Sequence, residues 1–449
     1  MRHTILPRIF FLLNLIFIPQ SGLAQYPLIL TQRQQAVVID DILDDRLKNL
    51  LPALMRREAF DMWVIISREY NEDPVIKTLL PATWLAARRT TMLVVFDQGV
   101  DKGVEYLAVA RYDVGKIFKR SWDADQQPDQ WAQLAKIIQE RNPKKIGINK
   151  AEHYGHADGL AANDYDQLMK NLEPAFQSKV TSSEKLAVSW LETRSEKEMV
   201  IYPQICKIAH DIILEGFSDV VIQPGVTTTE DVVWWYREKI KELKLDTWFH
   251  TSVSVQRGEP DIIFTKRPQP VVILPGDLLH VDFGITYLRL NTDTQQHAYI
   301  LKPGETDAPA YLKKALEYGN QLQDILTSNF TVSKTGNQIL ADSRKQAIAK
   351  GLTPSIYTHP IGYHGHAAGT TIGQWDMQDG VPHTGDYPLH NNTAYSIELN
   401  VTTKIQEWKK EIQIQLEEDG FFESDGRFRY IDGRQKQLIL VPRQSPISK

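Results

Sequence analysis

The sequence has almost no cysteine. One residue in 449, Cys206, is a cysteine, so no intramolecular disulfide can form and a thiolate-rich structural zinc site is excluded. Cys206 lies among apolar residues in a helical pattern over residues 198–214, where a free cysteine behaves as a small buried hydrophobe. We therefore expect no catalytic thiol.

Long basic runs are also absent. Charged residues make up 24% of the chain, hydrophobic residues 42%, and the formal net charge is −5 at pH 7. These values are ordinary for a soluble globular protein. Without a basic cluster the chain has no electrostatic footprint for nucleic acid. Its length predicts two or three domains.

An apolar run at the N terminus is too short for a membrane span. Residues 9–18 are apolar apart from Asn14, whereas a helix that crosses a bilayer needs about 20 residues. Arg2 and Arg8 supply positive charge, and the small residues of 21–24 supply a cleavage point. The pattern predicts a signal peptide over residues 1–24. The mature protein would then be secreted or periplasmic, with no membrane contact; an uncleaved anchor is the alternative.

Strand and helix patterns alternate through the first half of the mature chain. We expect helices over residues 34–51, 130–141 and 163–172, the first ended by Pro52, and strands over 61–66, 91–96, 106–110 and 145–149. Such alternation predicts a smaller α/β domain over residues 25–185. This half has no glycine-rich phosphate loop and no metal-ligand spacing. Arg88-Arg89, His153 and His156 are interpreted as solvated surface.

The second half, residues 186–449, reads as an α+β domain. Ser195 and Glu198 fit a capping box that begins a helix to about residue 217. Further helices are expected over residues 228–243, 311–328 and 336–350, and strands over 271–283, 294–301, 394–402 and 411–417. Helices outside an antiparallel curved sheet are the architecture that this order predicts.

Two aspartates stand in the first pair of these strands. Asp282 ends an apolar strand, and Asp293 follows eleven positions later at the start of the next strand. A carboxylate in an apolar strand is costly to bury unless it is paired, hydrogen-bonded or bound to metal. Turn capping at strand ends is the alternative for either residue taken alone.

Three later stretches add ligands of the same chemical kind. The first stretch contains His359, directly after Thr358, and His366 seven residues later. The second is a β-like run that contains Glu398. In the third, Glu417 shares one strand face with Gln413 and Gln415. Four carboxylates together would raise one another's pKa unless cations were present. Two divalent cations would neutralise four carboxylates, so the set indicates a two-metal site.

The order of these residues resembles that of the pita-bread metallopeptidases, which include methionine aminopeptidase, aminopeptidase P, prolidase and the non-metal relative creatinase. The resemblance runs from Ser195 to Val441 and fills five ligand positions: Asp282, Asp293, His359, Glu398 and Glu417. It implies a C-terminal pita-bread domain. It also implies that Asp293 and Glu417 bridge two metals, with Asp282 on one and His359 and Glu398 on the other.

The resemblance further assigns two catalytic residues. Glu398 would take a proton, and His366 would contact the substrate carbonyl rather than the metal. His364, between the two histidines, is the rival for either role. Because a single imidazole joins oxygen ligands, manganese fits best, with Co²⁺, Fe²⁺ or Zn²⁺ as alternatives.

The N-terminal half resembles the domain that aminopeptidase P, prolidase and creatinase carry and methionine aminopeptidase lacks. This resemblance implies a peptidase that acts on small peptides with proline at the second position, either an Xaa-Pro aminopeptidase or an Xaa-Pro dipeptidase. A homodimer is a further possibility that the resemblance leaves open. The alternatives are a metal-dependent hydrolase of a non-peptide bond on the same fold and a non-enzymatic binding protein.

Some positions depart from the family pattern. Gln296 stands where relatives have arginine. Ala367-Ala368-Gly369 follows the second histidine, where relatives often have an acidic residue. Residues 261–264 lack a histidine that aminopeptidase P relatives have. His250 and His280 are the candidates to replace that histidine. Residues 367–390, with Trp375, Met377 and Tyr387, lie where relatives place residues near the substrate.

Overall fold

The structure is a computed structural model that describes residues 26–258 and 270–442. The predicted signal peptide, residues 1–24, lies outside the described residues, and so do residues 261–264. Within the described ranges, no helix is both long and apolar enough to span a bilayer.

One mixed sheet organises the N-terminal half, in the spatial order β4-β3-β2-β1-β5-β6. Its strands are β1 (Met62–Arg68), β2 (Thr90–Asp97), β3 (Val104–Val109), β4 (Lys119–Arg120), β5 (Ile146–Ile148) and β6 (Val180–Ser182). Strand β1 is buried along nearly its whole length, because apolar clusters cover both faces of the sheet. A strand buried on both faces reads as a continuous apolar run, which is how its sequence reads.

Helices flank this sheet, as the alternating pattern predicts. They are α1 (Gln32–Asp45), α2 (Leu51–Arg57), α3 (Pro74–Leu79), α4 (Gln130–Arg141), α5 (Ala162–Asn171), α6 (Pro174–Gln177) and α7 (Glu184–Glu192). The prediction that Pro52 ends the first helix is wrong. A π-helical turn, Arg46–Leu50, joins α1 to α2, so Pro52 falls in the first turn of α2, where the missing N–H of proline is tolerated.

Four long helices belong to the C-terminal half. They are α8 (Glu196–Gly216), α9 (Thr229–Glu242), α10 (Ala310–Ser328) and α11 (Gly336–Ala349). The predicted capping box of α8 is confirmed: the Ser195 side chain accepts from the Glu198 N–H, and the Glu198 carboxylate accepts from the Ser195 N–H. Helices α8 and α9 cover one apolar core, and α10 and α11 cover a second.

The strands of this half form several small, mostly antiparallel sheets. They are β7 (Ser252–Gln256), β8 (Leu278–Phe283), β9 (Thr286–Tyr287), β10 (Leu290–Asn291), β11 (Thr294–Ile300), β12 (Thr353–Ile356), β13 (His359–Pro360), β14 (Thr393–Ser396), β15 (Leu399–Ile405), β16 (Lys410–Leu416), β17 (Asp419–Phe422), β18 (Phe428–Tyr430) and β19 (Ile439–Val441). Two predicted strands differ from the structure. Residues 271–274 form no strand, and the strand expected over 394–402 is divided between β14 and β15.

The predicted domain boundary, between residues 185 and 186, falls inside α7. Leu186, Trp190 and Leu191 of this helix pack in one cluster with Trp63 of the N-terminal sheet. The chain then passes through Arg194, which pairs with Glu198 at 2.9 Å. The division into residues 25–185 and 186–449 stays a prediction.

Candidate metal centre

Strands β8 and β11 bring the two aspartates together. They pair antiparallel with Asp282 opposite Gln295 and Phe283 opposite Thr294, and Asp293 immediately precedes β11. Both carboxylates therefore lie at the same end of the hairpin. The prediction that these two strands are neighbours is confirmed, with Asp282 inside β8 and Asp293 one residue before β11.

The other three predicted ligands come from neighbouring sheets. His359 in β13 pairs with Ser396 in β14. Glu398 occupies the break between β14 and β15, and Glu417 follows the last residue of β16. Glu417 also bridges back to Gln295 of β11 through backbone hydrogen bonds. The break that divides the predicted strand thus turns Glu398 toward the aspartates.

All five side chains converge. His359 Nε2 lies 3.6 Å from Asp293 Oδ2, 3.8 Å from Glu398 Oε2 and 3.5 Å from Glu417 Oε1. One group of three, Asp282, Asp293 and Glu417, has its ligand atoms within 4.8 Å of one another, and so has the group His359, Glu398 and Glu417. Glu417 belongs to both groups, which is the arrangement of a carboxylate shared by two ions.

The orientation of His359 suits a ligand. Its Nδ1 lies 2.9 Å from the carbonyl oxygen of Pro360. A carbonyl can only accept, so Nδ1 carries the hydrogen and the lone pair of Nε2 faces the carboxylates. Fixing the tautomer through the second nitrogen is the usual support for a metal-binding histidine.

The site as it stands is short of positive charge. Burial, with the nearby charge of Glu417, raises the pKa of Asp282 to about 8, and the same causes raise the pKa of Asp293 and of Glu398 well above the ordinary range. Burial opposes protonation of His359, yet the negative charge of Glu417, whose Oε1 lies 3.5 Å from Nε2, raises its pKa to about 9. Carboxylates that hold protons and an imidazole that becomes cationic show that the site favours added positive charge.

Buried polar atoms without partners give a direct test of the fit to metal. Asp282 Oδ1, Asp293 Oδ1 and His359 Nε2 are buried and lack a hydrogen-bond partner among the described residues. Buried polar atoms are normally satisfied, and here three unsatisfied atoms belong to residues of one donor set. The residues therefore fit a pair of divalent cations.

Gln295 is the site residue that the sequence reasoning missed. Its Nε2 donates to Glu398 Oε1 at 2.6 Å and to Glu417 Oε2 at 2.7 Å, while its Oε1 lies 2.8 Å from His280 Nε2. The signal was present in the strand period, because alternate residues of β11 face the same side as Asp293. Gln296, the departure noted from the sequence, points to the opposite side and donates to Glu418 at 3.0 Å.

His366 lies beside the ligands but is more exposed than they are. Its ring packs edge-to-face against His359, with centroids 4.7 Å apart, and against Trp248 at 5.0 Å. It also forms a possible donor group with Asp293 and His359. Burial and the charge of His359 lower the pKa of His366. A neutral imidazole at this place can donate a hydrogen bond to a bound carbonyl.

The structure shows the contacts and exposure of the remaining candidate histidines. His364 turns away from the carboxylates and packs on His156, with ring centroids 4.6 Å apart. The interpretation of His156 as solvated surface does not hold, since its ring is half-buried against His364 and lies beside the backbone of His366. His250 is exposed and contacts Arg237, whereas His280 is buried and supports Gln295.

A cleft of about 1120 Å³ opens over these residues. Asp282, His359, His366 and Glu398 line it, and so does Trp375, which is 78% exposed. Tyr387, from the same segment, instead donates to the buried Glu192 at 2.8 Å. Of the aromatic residues expected near the substrate, Trp375 is therefore the one that borders the cleft.

Comparison with known proteins agrees with this geometry. Residues 204–421 match the model of metallopeptidase family M24. No curated protein matches the sequence.

Solved structures share the fold over most of the chain. The X-Pro aminopeptidase of Thermotoga maritima superposes with a TM-score of 0.61 at 16% identity, over 87% of this chain and 100% of that chain. The Xaa-Pro dipeptidase of Bacillus anthracis gives 0.53 at 15%, over 91% and 100%. The N-terminal domain of the FACT complex subunit SPT16 from Eremothecium gossypii gives 0.55 at 14%, over 92% and 98%. Residues 204–421 are therefore similar to metallopeptidase family M24, and the chain has the pita-bread fold.

Proposed function

We propose that this protein is a two-metal peptidase that removes the N-terminal residue from peptides with proline at the second position. The observation that carries the proposal is the convergence of Asp282, Asp293, His359, Glu398 and Glu417 around unsatisfied donor atoms. Similarity in fold to an X-Pro aminopeptidase and an Xaa-Pro dipeptidase supports this substrate class.

Each ligand has a proposed place. Asp293 and Glu417 would bridge the two ions, Asp282 would complete the shell of one, and His359 and Glu398 that of the other. Manganese suits this mixture of carboxylates and one imidazole, with Co²⁺, Fe²⁺ or Zn²⁺ as alternatives. When bound, such a metal pair lowers the pKa of the attacking water and polarises the substrate carbonyl.

The side chains of the protein do the remaining work. Glu398 accepts the proton of the attacking water, because it lies at the open side of the cluster and lines the cleft. His366 donates a hydrogen bond to the carbonyl oxygen as negative charge develops there. A bond to proline has no N–H, and recognition through the carbonyl alone does not require one.

The setting of the enzyme is part of the proposal. A signal peptide over residues 1–24 would export the protein to the periplasm or the medium. The mature chain would consist of a creatinase-like domain, residues 25–185, and a catalytic domain, residues 186–449. A homodimer is an open alternative to a single chain.

A peptide panel with metal analysis tests the function. Protein dialysed against manganese should hold about two ions per chain and release the first residue from Ala-Pro peptides, with Ala-Ala counterparts much poorer. Chelation should abolish turnover, and readdition of metal should restore it. If metal-loaded protein leaves every Xaa-Pro peptide intact, the proposal is wrong. That result would favour a hydrolase of a non-peptide bond.

One observation favours a second candidate, a binding protein on the same scaffold. Gln295 donates to both Glu398 and Glu417, and Ser396 donates to the second oxygen of Glu417, so both carboxylates have hydrogen-bond partners without metal. The structural relative from Eremothecium gossypii is named as a complex subunit rather than as a peptidase. Protein that holds no metal after dialysis and remains inactive would support this second function.

A further inference from the structure

Uncharged polar side chains cover the floor of the cleft beyond the proposed ligands. We call this surface the polar floor; its residues are Ser252, Ser254, Gln256, Thr353, Ser355, Asn400, Thr402, Gln413 and Gln415. Each of the nine lines the cleft, and each is a serine, threonine, asparagine or glutamine.

Strand pairing arranges the floor in rows. Thr402 of β15 lies opposite Thr353 and Gln413, and Asn400 lies opposite Ser355 and Gln415. The residues between them, such as Val401 and Ile414, are buried in the apolar core. Since side chains alternate between the two faces of a strand, the polar residues all face the cleft.

Gln256 joins this surface to the strand that leads toward the ligands. Its Nε2 donates to the Gln413 carbonyl at 2.7 Å, and its Oε1 accepts from the Gln413 N–H at 2.9 Å. Strand β7 pairs in turn with β8, with Ser252 opposite Asp282. The floor is therefore continuous with the candidate metal centre.

The floor offers hydrogen bonds without charge. The side-chain amides of Gln413 and Gln415 make no hydrogen bond within the described part of the chain, where the bonds of both residues run through backbone atoms. Among the described residues that line the cleft, none is a lysine or an arginine. A free C-terminal carboxylate is recognised by a cation or a nest of N–H groups, so this floor is poorly suited to a dipeptide.

The length of the floor sets the length of its occupant. Glu398 and Thr402 are four residues apart on one edge of the cleft, which corresponds to about 13 Å of extended strand. A substrate chain in the same conformation would place about four residues across that distance. Primary amides of glutamine and asparagine both donate and accept, as a peptide group does.

We propose that the polar floor binds the substrate chain beyond the scissile bond, and that the preferred substrates are peptides of about five residues or more with uncharged polar side chains. This inference rests on the proposed function, because it assumes that Glu398 marks the reacting end of the cleft. The floor then selects longer peptides over dipeptides and neutral side chains over charged ones.

Kinetics on matched peptides tests the proposal. Ala-Pro-Gln-Ser-Asn-Thr amide should exceed Ala-Pro-Ala amide in kcat/KM by about tenfold, mainly through KM, as expected for two or three added hydrogen bonds. Ala-Pro-Glu-Lys-Glu-Lys amide should show little of this gain. The double variant Gln413→Ala/Gln415→Ala should bring the ratio of the long polar peptide to the short one close to one.

Control variants separate recognition from folding. Gln406→Ala removes an exposed glutamine in the turn between β15 and β16, outside the cleft, and should keep the full length preference. Thr402→Val keeps the shape of the floor and removes one hydroxyl, so it should lose part of the preference with the melting temperature retained. Equal turnover of long, short, polar and charged peptides overturns the inference while the proposed function stands.

A binding measurement distinguishes failure of the polar-floor inference from failure of the proposed peptidase function. Fluorescein-labelled Gln-Ser-Asn-Thr amide should bind metal-free protein, by fluorescence anisotropy, and bind the double variant at least several-fold more weakly. Such binding without cleavage of any Xaa-Pro peptide supports the floor and refutes the peptidase function. Displacement of the label by cello-oligosaccharides but not by unlabelled peptide overturns the inference, because the floor would then be a glycan site.

Discussion

Gln295 bonds to two of the four carboxylates at the candidate metal centre, and His280 holds it in place. Because His280 Nε2 faces its Oε1 at 2.8 Å, the amide must present its NH₂ group to Glu398 and Glu417. One oxygen of each glutamate is thereby engaged, and the other is directed toward His359. At the scale of single residues, an uncharged amide thus orients two proposed metal ligands.

Replacing Gln295 should weaken metal binding. Gln295→Leu keeps similar volume but removes both hydrogen bonds, and loss of a supporting partner typically costs about tenfold or more in metal affinity. Competition against a chelating dye measures the change. Gln406→Leu, an exposed control, should bind metal as the parent does, and an unchanged Gln295→Leu affinity would contradict the orienting role.

Substitution of a proposed metal ligand and substitution of a proposed substrate contact should have different effects on metal content and on kcat. Asp293→Ala and Glu417→Ala should each lose metal, because each carboxylate is proposed to bridge both ions. His366→Ala should retain the metals and lower kcat by roughly 10²-fold, the typical cost of removing one oxyanion donor. Elemental analysis beside steady-state kinetics checks both. Loss of metal from His366→Ala but not from His359→Ala would reverse the two assignments.

At the scale of elements, helix α7 is tied to the segment 367–390 through a buried acid. Glu192 ends α7 and accepts from the Tyr387 hydroxyl at 2.8 Å, with Arg57 3.9 Å away. Its Oε2 has no partner among the described residues. Burial raises the pKa of Glu192 to about 8, although the hydrogen bond from Tyr387 and the charge of Arg57 both favour the carboxylate, so the carboxyl is protonated below that pH.

This acid should make stability fall as pH rises. Between its ordinary pKa of 4.5 and about 8, the folded protein holds a proton that the unfolded chain has released, so the free energy of unfolding decreases with pH. Glu192→Gln removes that dependence and should be more stable than the parent by ~4 kcal/mol at about pH 8, with no difference near pH 4. Urea denaturation at the two pH values measures it. Glu196→Gln, an exposed position, should show neither effect.

At the scale of the whole molecule, the N-terminal half reaches the candidate site. His156 contacts His364 and the backbone of His366, and Arg46 of the π-helical turn pairs with Glu198 of α8 at 2.6 Å. Both contacts are distant in sequence. The first half of the chain therefore supports the position of a proposed substrate contact rather than only covering the cleft.

Substitution of His156 should affect turnover without loss of metal. His156→Ala removes the ring that packs on His364 beside the His366 backbone, and a displaced catalytic contact should cost about tenfold in kcat, less than removal of His366 itself. His156→Gln retains a donor and should recover part of the rate. Elemental analysis should give parent-like metal content in both. His153→Ala, which removes an exposed ring stacked on His383 at 3.9 Å, serves as the control, and an equal effect there would contradict a specific role for His156.

Local patterns account for what could be predicted. The helix Gln130–Arg141 and the capping box at Ser195 depend on neighbouring residues, and their sequences specify them directly. The predicted helix end at Pro52 was wrong because the π-helical turn before it places this proline in the first turn of the next helix, where proline is tolerated. Residues 271–274 have an apolar strand pattern but form no strand in the structure; Val272 makes one isolated bridge to Thr228, and of the four residues only Ile273 is buried.

The sequence by itself determined the order of the elements and the spacing of the two aspartates, because these follow from short-range periodicity. The five residues of the proposed ligand set came from the resemblance to the pita-bread metallopeptidases. Tertiary structure alone decided that Gln295 lies between Glu398 and Glu417, that His156 lies beside His366, and that nine polar residues from four strands form one floor. The physical reason is that each of these depends on which strand face is turned inward and which distant strands become neighbours. A shift of one residue exchanges the faces of a strand, and only the packed sheets of the folded chain select between them.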